Sequence, residues 1–212
     1  MTDLFGAPPA EQPLANGALL LRGFALPIEA ELLAAIEDVV ATAPFRHMVT
    51  LGGFTMSVAM SNCGTAGWVT DRKGYRYSAI DPETGKNWPA MPEIFRALAL
   101  EAAARAGYAG YEPDACLINR YEPGARMTLH QDKNERDYAK PIVSVSLGLP
   151  ATFLFGGQER AGKTLKVPLA HGDVVVWGGP SRMNFHGVNT VADGVHPLVG
   201  RRRLNLTFRR AL

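Results

Sequence analysis

The sequence predicts a mainly β fold with flanking helices, and three observations lead there. Beyond residue 114, about seven short strand-like runs follow one another, each closed by a Gly, Pro or Asp turn signal. Ahead of them, two segments carry the apolar period of amphipathic helices. Between the helices lies a stretch rich in aromatic residues with few regular periods, which reads as hairpins or a lid. Strands at this spacing indicate a sandwich or a barrel.

Each element follows in chain order. After Pro27, the residues Ile28, Leu32, Leu33, Ile36, Val39 and Val40 keep one face apolar, so 28–42 is expected as a helix that ends near Pro44. Region 46–90 holds Gly52-Gly53 and the aromatics Phe54, Trp68, Tyr75, Tyr77 and Trp88. Pro92 suits a first helical turn, Ile94, Phe95, Leu98 and Ala102 share a face, and Gly107 supplies the stop, predicting a helix over 92–106. The strands expected beyond are Ala115–Tyr121, Arg126–Asp132, Ile142–Leu149, Thr152–Phe155, Leu165–Pro168, Asp173–Trp177 and Leu204–Phe208.

With 212 residues, 47% apolar and 20% charged, the chain is of a size for one soluble domain. The 22 basic and 20 acidic side chains leave a formal +2, too small a bias to argue for or against a nucleic-acid partner. No run approaches the ~20 apolar residues of a membrane span. Met1-Thr-Asp-Leu-Phe-Gly-Ala-Pro-Pro lacks the basic segment and apolar core of a signal peptide, so a cytoplasmic protein is expected. Cys63 and Cys116 stand apart without a CxxC pattern and are expected as free thiols.

Five histidines limit the centres available to metal chemistry, yet two His-x-Asp triplets occur, His130-Gln-Asp132 and His171-Gly-Asp173. Residues two apart in a strand share a face about 6.6 Å along the chain, so a His and a carboxylate can converge on one ion. Two His and one carboxylate on a single face of an octahedron suit non-haem Fe(II) and oxygen chemistry. The second triplet contains a glycine and feeds Val174-Val-Val-Trp177, the pattern of a tight turn before a buried strand. His130 ends an alternating segment, which favours the first triplet. His186 is the candidate third ligand, with His196 and His47 as competitors.

The last strand adds an independent clue. In Arg203-Leu-Asn-Leu-Thr-Phe-Arg209 every second residue is polar: Arg203, Asn205, Thr207 and Arg209. A solvated face is one explanation. The other is an inward face whose guanidiniums bind a carboxylate in the forked geometry that Arg allows, with Asn119 and Tyr121 as further donors.

Taken together, Asn119-Arg-Tyr121, His130-Gln-Asp132, His186 and Arg203–Arg209, in that order and spacing, resemble the AlkB family of Fe(II)- and 2-oxoglutarate-dependent dioxygenases. The resemblance covers nearly the whole chain, including Thr55-Met-Ser-Val-Ala-Met60, Pro113–Tyr121, Pro141–Pro150 and His171–Gly179. It implies a double-stranded β-helix, or jelly roll, within a single catalytic domain over 1–212. Its parts are an N-terminal extension and helix (1–45), a nucleotide-recognition lid (46–90), a supporting helix (91–107) and the jelly-roll core (113–212). It implies His130, Asp132 and His186 as catalytic iron ligands and leaves His171 and Asp173 outside the ligand set. Asn119, Tyr121, Arg203, Asn205 and Arg209 would hold 2-oxoglutarate, with Arg203 on its distal carboxylate and Arg209 near the keto acid. Oxygen is the other co-substrate, and succinate, CO2 and formaldehyde are the products.

On the substrate side the resemblance assigns Trp68, Tyr75, Arg76, Tyr77, Asn134 and Arg160. A base must leave its stack to reach a buried metal and is then read by stacking on aromatic or imidazole faces. Trp68 and His130 would be those faces, while packing inside hairpins is the competing explanation for the aromatics. Where the family has an aspartate two residues after the metal-binding acid, this chain has Asn134, which keeps an acceptor, adds a donor and loses the charge. The expected activity is oxidative demethylation of 1-methyladenine- and 3-methylcytosine-type lesions in DNA, single-stranded by preference, with RNA as a second substrate, by a monomer with no membrane association. The rival readings are a dioxygenase of the same chemistry acting on a protein or small molecule, and a non-catalytic jelly-roll binding module.

Overall fold

A computed structural model describes residues 9–212, so Met1–Pro8 of the N-terminal extension lie outside the described residues. The strands are β1 (Glu11–Ala15), β2 (Ala18–Leu21), β3 (Arg46–Val49), β4 (Thr55–Gly64), β5 (Gly67–Asp71), β6 (Gly74–Ser78), β7 (Ala115–Tyr121), β8 (Met127–His130), β9 (Ile142–Gly148), β10 (Ala151–Phe155), β11 (Leu165–Leu169), β12 (Val174–Trp177), β13 (His186–Val188) and β14 (Arg203–Arg209). The helices are α1 (Glu29–Thr42) and α2 (Glu93–Arg105).

From β7 onward, successive strands divide between two facing sheets. One sheet has the order β1-β2-β12-β9-β14-β7-β4-β3 and the other β11-β10-β13-β8. Four of the eight C-terminal strands sit in each, all paired antiparallel, which is the double-stranded β-helix that the fold class implied. β5 and β6 form a separate hairpin.

The period of two in the strands decides what each face of the larger sheet meets. Leu204, Leu206 and Phe208 of β14, with Val143, Val145 and Leu147 of β9, pack against Leu32, Ile36 and Val39 of α1 and Phe95, Leu98 and Ala102 of α2. The opposite face meets the smaller sheet through Leu117, Tyr121, Phe153, Phe155, Val175 and Trp177. All seven residues of β14 are therefore buried, polar positions included, and the solvated-face explanation does not hold.

Four expectations shift. Strands β1 and β2, which no strand pattern predicted, extend the larger sheet, β2 by pairing with β12 and β1 by pairing with β2, so the N-terminal segment contributes more than a helix. Region 46–90 divides: β3 and β4 join the larger sheet beside β7, leaving the β5–β6 hairpin as its separate layer. Pro92 takes the N-cap of α2 rather than its first turn, with extended backbone at φ −55° and ψ 141°; having no N–H, it removes a donor that the helix start could not pair. α1 begins at Glu29, one residue after expected, because Leu26–Ile28 form a 3-10 turn. No helix among the described residues is long and apolar enough to cross a membrane.

Candidate active site

Strand register brings the metal ligands together. His130 ends β8, His186 begins β13, and the two are direct cross-strand partners. The register slips between His186 and Val188. Gly187 at that slip lets the strands close up, since a Cβ there would lie 2.7 Å from the Met127 carbonyl oxygen. The two imidazole centroids are 4.4 Å apart. Asp132 was expected to continue the strand; β8 instead stops at His130, and the carboxylate reaches back from the loop. Its oxygens stand 3.7 Å from His130 Nε2 and 3.7 Å from His186 Nε2. One ligand atom from each of the three residues lies within 4.8 Å of the others, the one such group among the described residues.

The ring nitrogens are already sorted. His130 Nδ1 meets the Thr128 carbonyl at 2.8 Å and His186 Nδ1 the Asn184 carbonyl at 3.1 Å. A carbonyl only accepts, so both Nδ1 atoms carry hydrogen and both Nε2 lone pairs face the gap. Burial, reinforced by His130, lowers the His186 imidazole to about 3, which keeps it neutral and available as a ligand. Burial would raise the Asp132 carboxyl, but the Arg209 guanidinium beside it outweighs this and holds the group below the usual carboxylate range. Arg209 donates to Asp132 Oδ2 from Nε at 2.8 Å and from Nη2 at 2.6 Å.

A charged network missed in the sequence stands behind this centre. Buried Arg182 donates to the Asp132 carbonyl at 2.8 Å and to Glu135 at 3.0 Å. Glu135 also accepts from the Tyr77 hydroxyl at 2.7 Å, which ties the β5–β6 hairpin to the metal loop. Nothing in a linear pattern marks Arg182. Ser144 and Ser146, by contrast, alternate with valines in β9 and were detectable as a second inward polar face.

Two cavities meet at the triad. The inner one, about 50 Å³, is lined by all five candidate co-substrate residues, Asn119, Tyr121, Arg203, Asn205 and Arg209, together with His130 and His186. Arg203 is 1% exposed. Its Nη2 donates to Ser146 Oγ at 2.9 Å, its guanidinium lies 4.9 Å from the Tyr121 ring centroid, and its Nε and Nη1 have no partner. Asn119 Oδ1 is likewise buried without a partner, while its Nδ2 donates to Asn205 at 3.0 Å. A buried guanidinium facing no carboxylate is costly unless an anion completes it. The unpaired donors therefore fit a co-substrate that carries a carboxylate at its far end, and the donor set of the triad fits Fe(II).

The outer cavity, about 420 Å³, shares His130 and Arg209 with the inner one and is walled by Trp68, Tyr75, Asp132, Asn134 and Arg160. Trp68 and Tyr75 stack with centroids 5.7 Å apart. Two expected substrate residues are not on this wall. Arg76 is engaged by Asp71 through two bonds of 2.9 and 2.7 Å within the hairpin, and Tyr77 serves as the anchor to Glu135.

His171 and Asp173 are far from this arrangement in role. His171 Nδ1 accepts from the Gly148 N–H at 2.8 Å, so its Nε2 carries the hydrogen and donates to Glu29 at 2.8 Å. Asp173 is saturated by Arg22, the Gly23 N–H and the Ala170 N–H. Of the other two histidines, His196 stacks on His171 at 4.3 Å and His47 bonds the Met56 carbonyl, so neither competes for the metal. Cys63 and Cys116 are free and buried.

A family model described as the 2OG-Fe(II) oxygenase superfamily matches residues 17–209. The chain is 57% identical over 212 residues to the alpha-ketoglutarate-dependent dioxygenase AlkB of Escherichia coli K12, covering 100% of this chain and 98% of that one. It is 29% identical over 132 residues to the tRNA demethylase abh1 of Schizosaccharomyces pombe, covering 61% and 43% of the two chains. Among solved structures, that of OsALKBH1 superposes with a TM-score of 0.82 at 28% identity, covering 94% of this chain and 99% of the other.

Proposed function

The chain belongs to the 2OG-Fe(II) oxygenase superfamily as an AlkB-type alpha-ketoglutarate-dependent dioxygenase, and from that premise we propose that it removes N-linked methyl groups from the bases of nucleic acid. The observation that carries this reading is the junction of the two cavities at His130: the one behind the triad, with the Arg203 and Arg209 guanidiniums on its wall, suits a dicarboxylate, and the one in front, walled by the stacked Trp68 and Tyr75, suits a planar ring.

His130, Asp132 and His186 would hold Fe(II), which with 2-oxoglutarate and O2 supplies the oxidation of a methyl C–H bond, with succinate, CO2 and formaldehyde as products. The residues do the rest. Arg203 fixes the far carboxylate of 2-oxoglutarate, Tyr121 and Asn119 flank it, and Asn205, whose own N–H groups go to Ser144 and Val145, holds Asn119 in place. Arg209 keeps Asp132 ionised and aimed at the metal. Trp68 and Tyr75 receive a base that has left its stack, Arg160 stands at the exposed rim for the backbone, and Asn134 faces the base edge. Arg76 and Tyr77 act on substrate through the hairpin that they hold in shape. The substrates on this reading are 1-methyladenine and 3-methylcytosine lesions in DNA, single-stranded by preference because no pairing must be broken, with RNA as a second substrate. The protein would act as a monomeric single catalytic domain in the cytoplasm, with the β5–β6 part of 46–90 as its nucleotide-recognition lid.

The test is mass spectrometry of methylated single-stranded oligonucleotides after incubation with the protein, Fe(II), 2-oxoglutarate and air. Loss of one methyl mass with formaldehyde and succinate in equal amounts is expected. Succinate without loss of any methyl group, across DNA and RNA, would move the substrate to a protein or small molecule; no iron and no succinate would leave a binding module.

A further inference from the structure

The inner and outer cavities share four residues: Leu117, Met127, His130 and Arg209. His130 belongs to the triad and Arg209 pairs with its carboxylate, so the apolar part of the junction is Leu117 and Met127. Met127 owes its place to a bulge. On β13, His186 and Val188 are two residues apart and share a face, while their partners on β8, His130 and Met127, are three apart. Thr128 and Leu129 thus stand opposite Gly187 alone, and the extra residue turns Met127 to the face that His130 occupies. A regular strand would have pointed the two side chains apart.

The two apolar residues are held differently. Leu117 lies in β7, hydrogen-bonded between β4 and β14 inside the larger sheet, and is 6% exposed. Met127 is half-buried on β8, the last strand of the smaller sheet, whose other edge pairs with no strand among the described residues. An unbranched thioether with three rotatable bonds fills irregular space and gives way to a neighbour. The carbon to be oxidised must lie between the metal and the base, at the junction that these two side chains bound. Further carbons of an N-alkyl group come up against the same walls. Leu117 is fixed from both sides, so the room is set by Met127.

Resting on the reading of the outer cavity as an alkylated-base site, we propose that Met127 is a specificity residue whose side chain bounds an alkyl subsite and sets the length of the N-alkyl group that the enzyme removes. The chemistry is the same for each length. The carbon bonded to nitrogen gives up two electrons and gains a hydroxyl from O2, while 2-oxoglutarate gives up two more, takes the second oxygen atom and leaves as succinate and CO2. The C–N bond then breaks with its electron pair on nitrogen, the hydroxyl proton goes to water, and an aldehyde departs. Length is felt as packing: a methylene that finds no room in an apolar pocket lowers kcat/KM by roughly 10- to 200-fold.

The experiment compares the natural protein with Met127→Ala and Met127→Phe on three single-stranded oligonucleotides that differ only in a 3-methyl, 3-ethyl or 3-propyl group on one cytosine. kcat/KM is read from the aldehyde released, and binding of each oligonucleotide by the metal-free protein from fluorescence anisotropy. Ratios between lesions are taken within one preparation, so partial misfolding of a variant cancels. Met127→Ala is expected to raise the propyl-to-methyl ratio about 10-fold or more, and Met127→Phe to lower the ethyl-to-methyl ratio about 10-fold or more, in turnover and in binding. If either ratio stays within about threefold of the natural protein's, or moves the other way, Met127 only packs and the proposal is overturned. Succinate without aldehyde from any oligonucleotide, in all three proteins, would overturn the reading of the outer cavity beneath it.

Discussion

His130-Gln-Asp132 and His171-Gly-Asp173 are alike in spacing, and each adjoins a strand, yet the fold treats them in opposite ways. In the first, backbone carbonyls occupy only the Nδ1 side of each imidazole, leaving Nε2 of His130 and His186 and the Asp132 carboxylate to face one gap. In the second, every ring nitrogen and carboxylate oxygen is already bonded within the protein. The middle residues differ accordingly: Gly172 sits at φ +84° in the turn that wraps Asp173, whereas Gln131 donates outward to the Met183 carbonyl at 2.6 Å. The lesson is that a metal site requires lone pairs the protein has left unused, and spacing alone does not report that.

The largest effect should come from breaking the first triplet. His130→Ala, Asp132→Ala and His186→Ala are each expected to lower iron affinity by more than about 100-fold, because even the partners that merely orient ligands are worth 10- to 100-fold. His171→Ala should keep full iron content by elemental analysis. If His171→Ala emptied the site while His130→Ala held iron, the contrast would be reversed.

Next is the cavity that only the first triplet adjoins. Arg203→Lys exchanges a fork for a single point charge in a site 1% exposed. Titration with 2-oxoglutarate should show an affinity loss on the order of 2–5 kcal/mol, nearer the lower end because the charge is kept. An unchanged affinity would deny Arg203 the distal carboxylate.

The second triplet should answer in stability instead. Asp173→Ala strands Arg22 and two backbone N–H groups, at a cost of about 3 kcal/mol. For a chain of this size that is a fall in Tm of roughly 6–12 °C. Iron content should not change, and an equal loss of iron and stability would erase the distinction between the triplets.

The smallest effect is at the rim. Trp68→Ala should weaken binding of a methylated oligonucleotide by about 1–3 kcal/mol while substrate-free conversion of 2-oxoglutarate to succinate continues. A core tryptophan would behave otherwise, lowering both activities along with Tm. Trp68 is only partly buried and stands on the cavity wall, so the selective defect is expected.

Much of the site was legible in the chain because alternation in a strand survives folding. Asn119 and Tyr121, and Arg203, Asn205, Thr207 and Arg209, reach the inner cavity because residues two apart share a face. Trp68 and Tyr75 were visible as aromatics in a stretch without a core period. Arg182 and Glu135 were not legible, since their importance lies in each other and in Asp132, across 47 residues of chain. Nor were β1 and β2, whose place is set by the edge of β12 that β2 covers.

The helices, most of the C-terminal strands and the identity of the polar face on β14 can be read along the chain, because these follow from short-range periodicity. Whether that face met water or a closed interior, and which of two equal triplets kept its lone pairs free, was settled by packing between distant segments. Both depend on what lies opposite. His186 becomes a ligand by pairing with His130 across β13 and β8, and Met127 joins the same face because a bulge sets it opposite Val188. Those are contacts between residues more than 50 positions apart, and no local pattern encodes them.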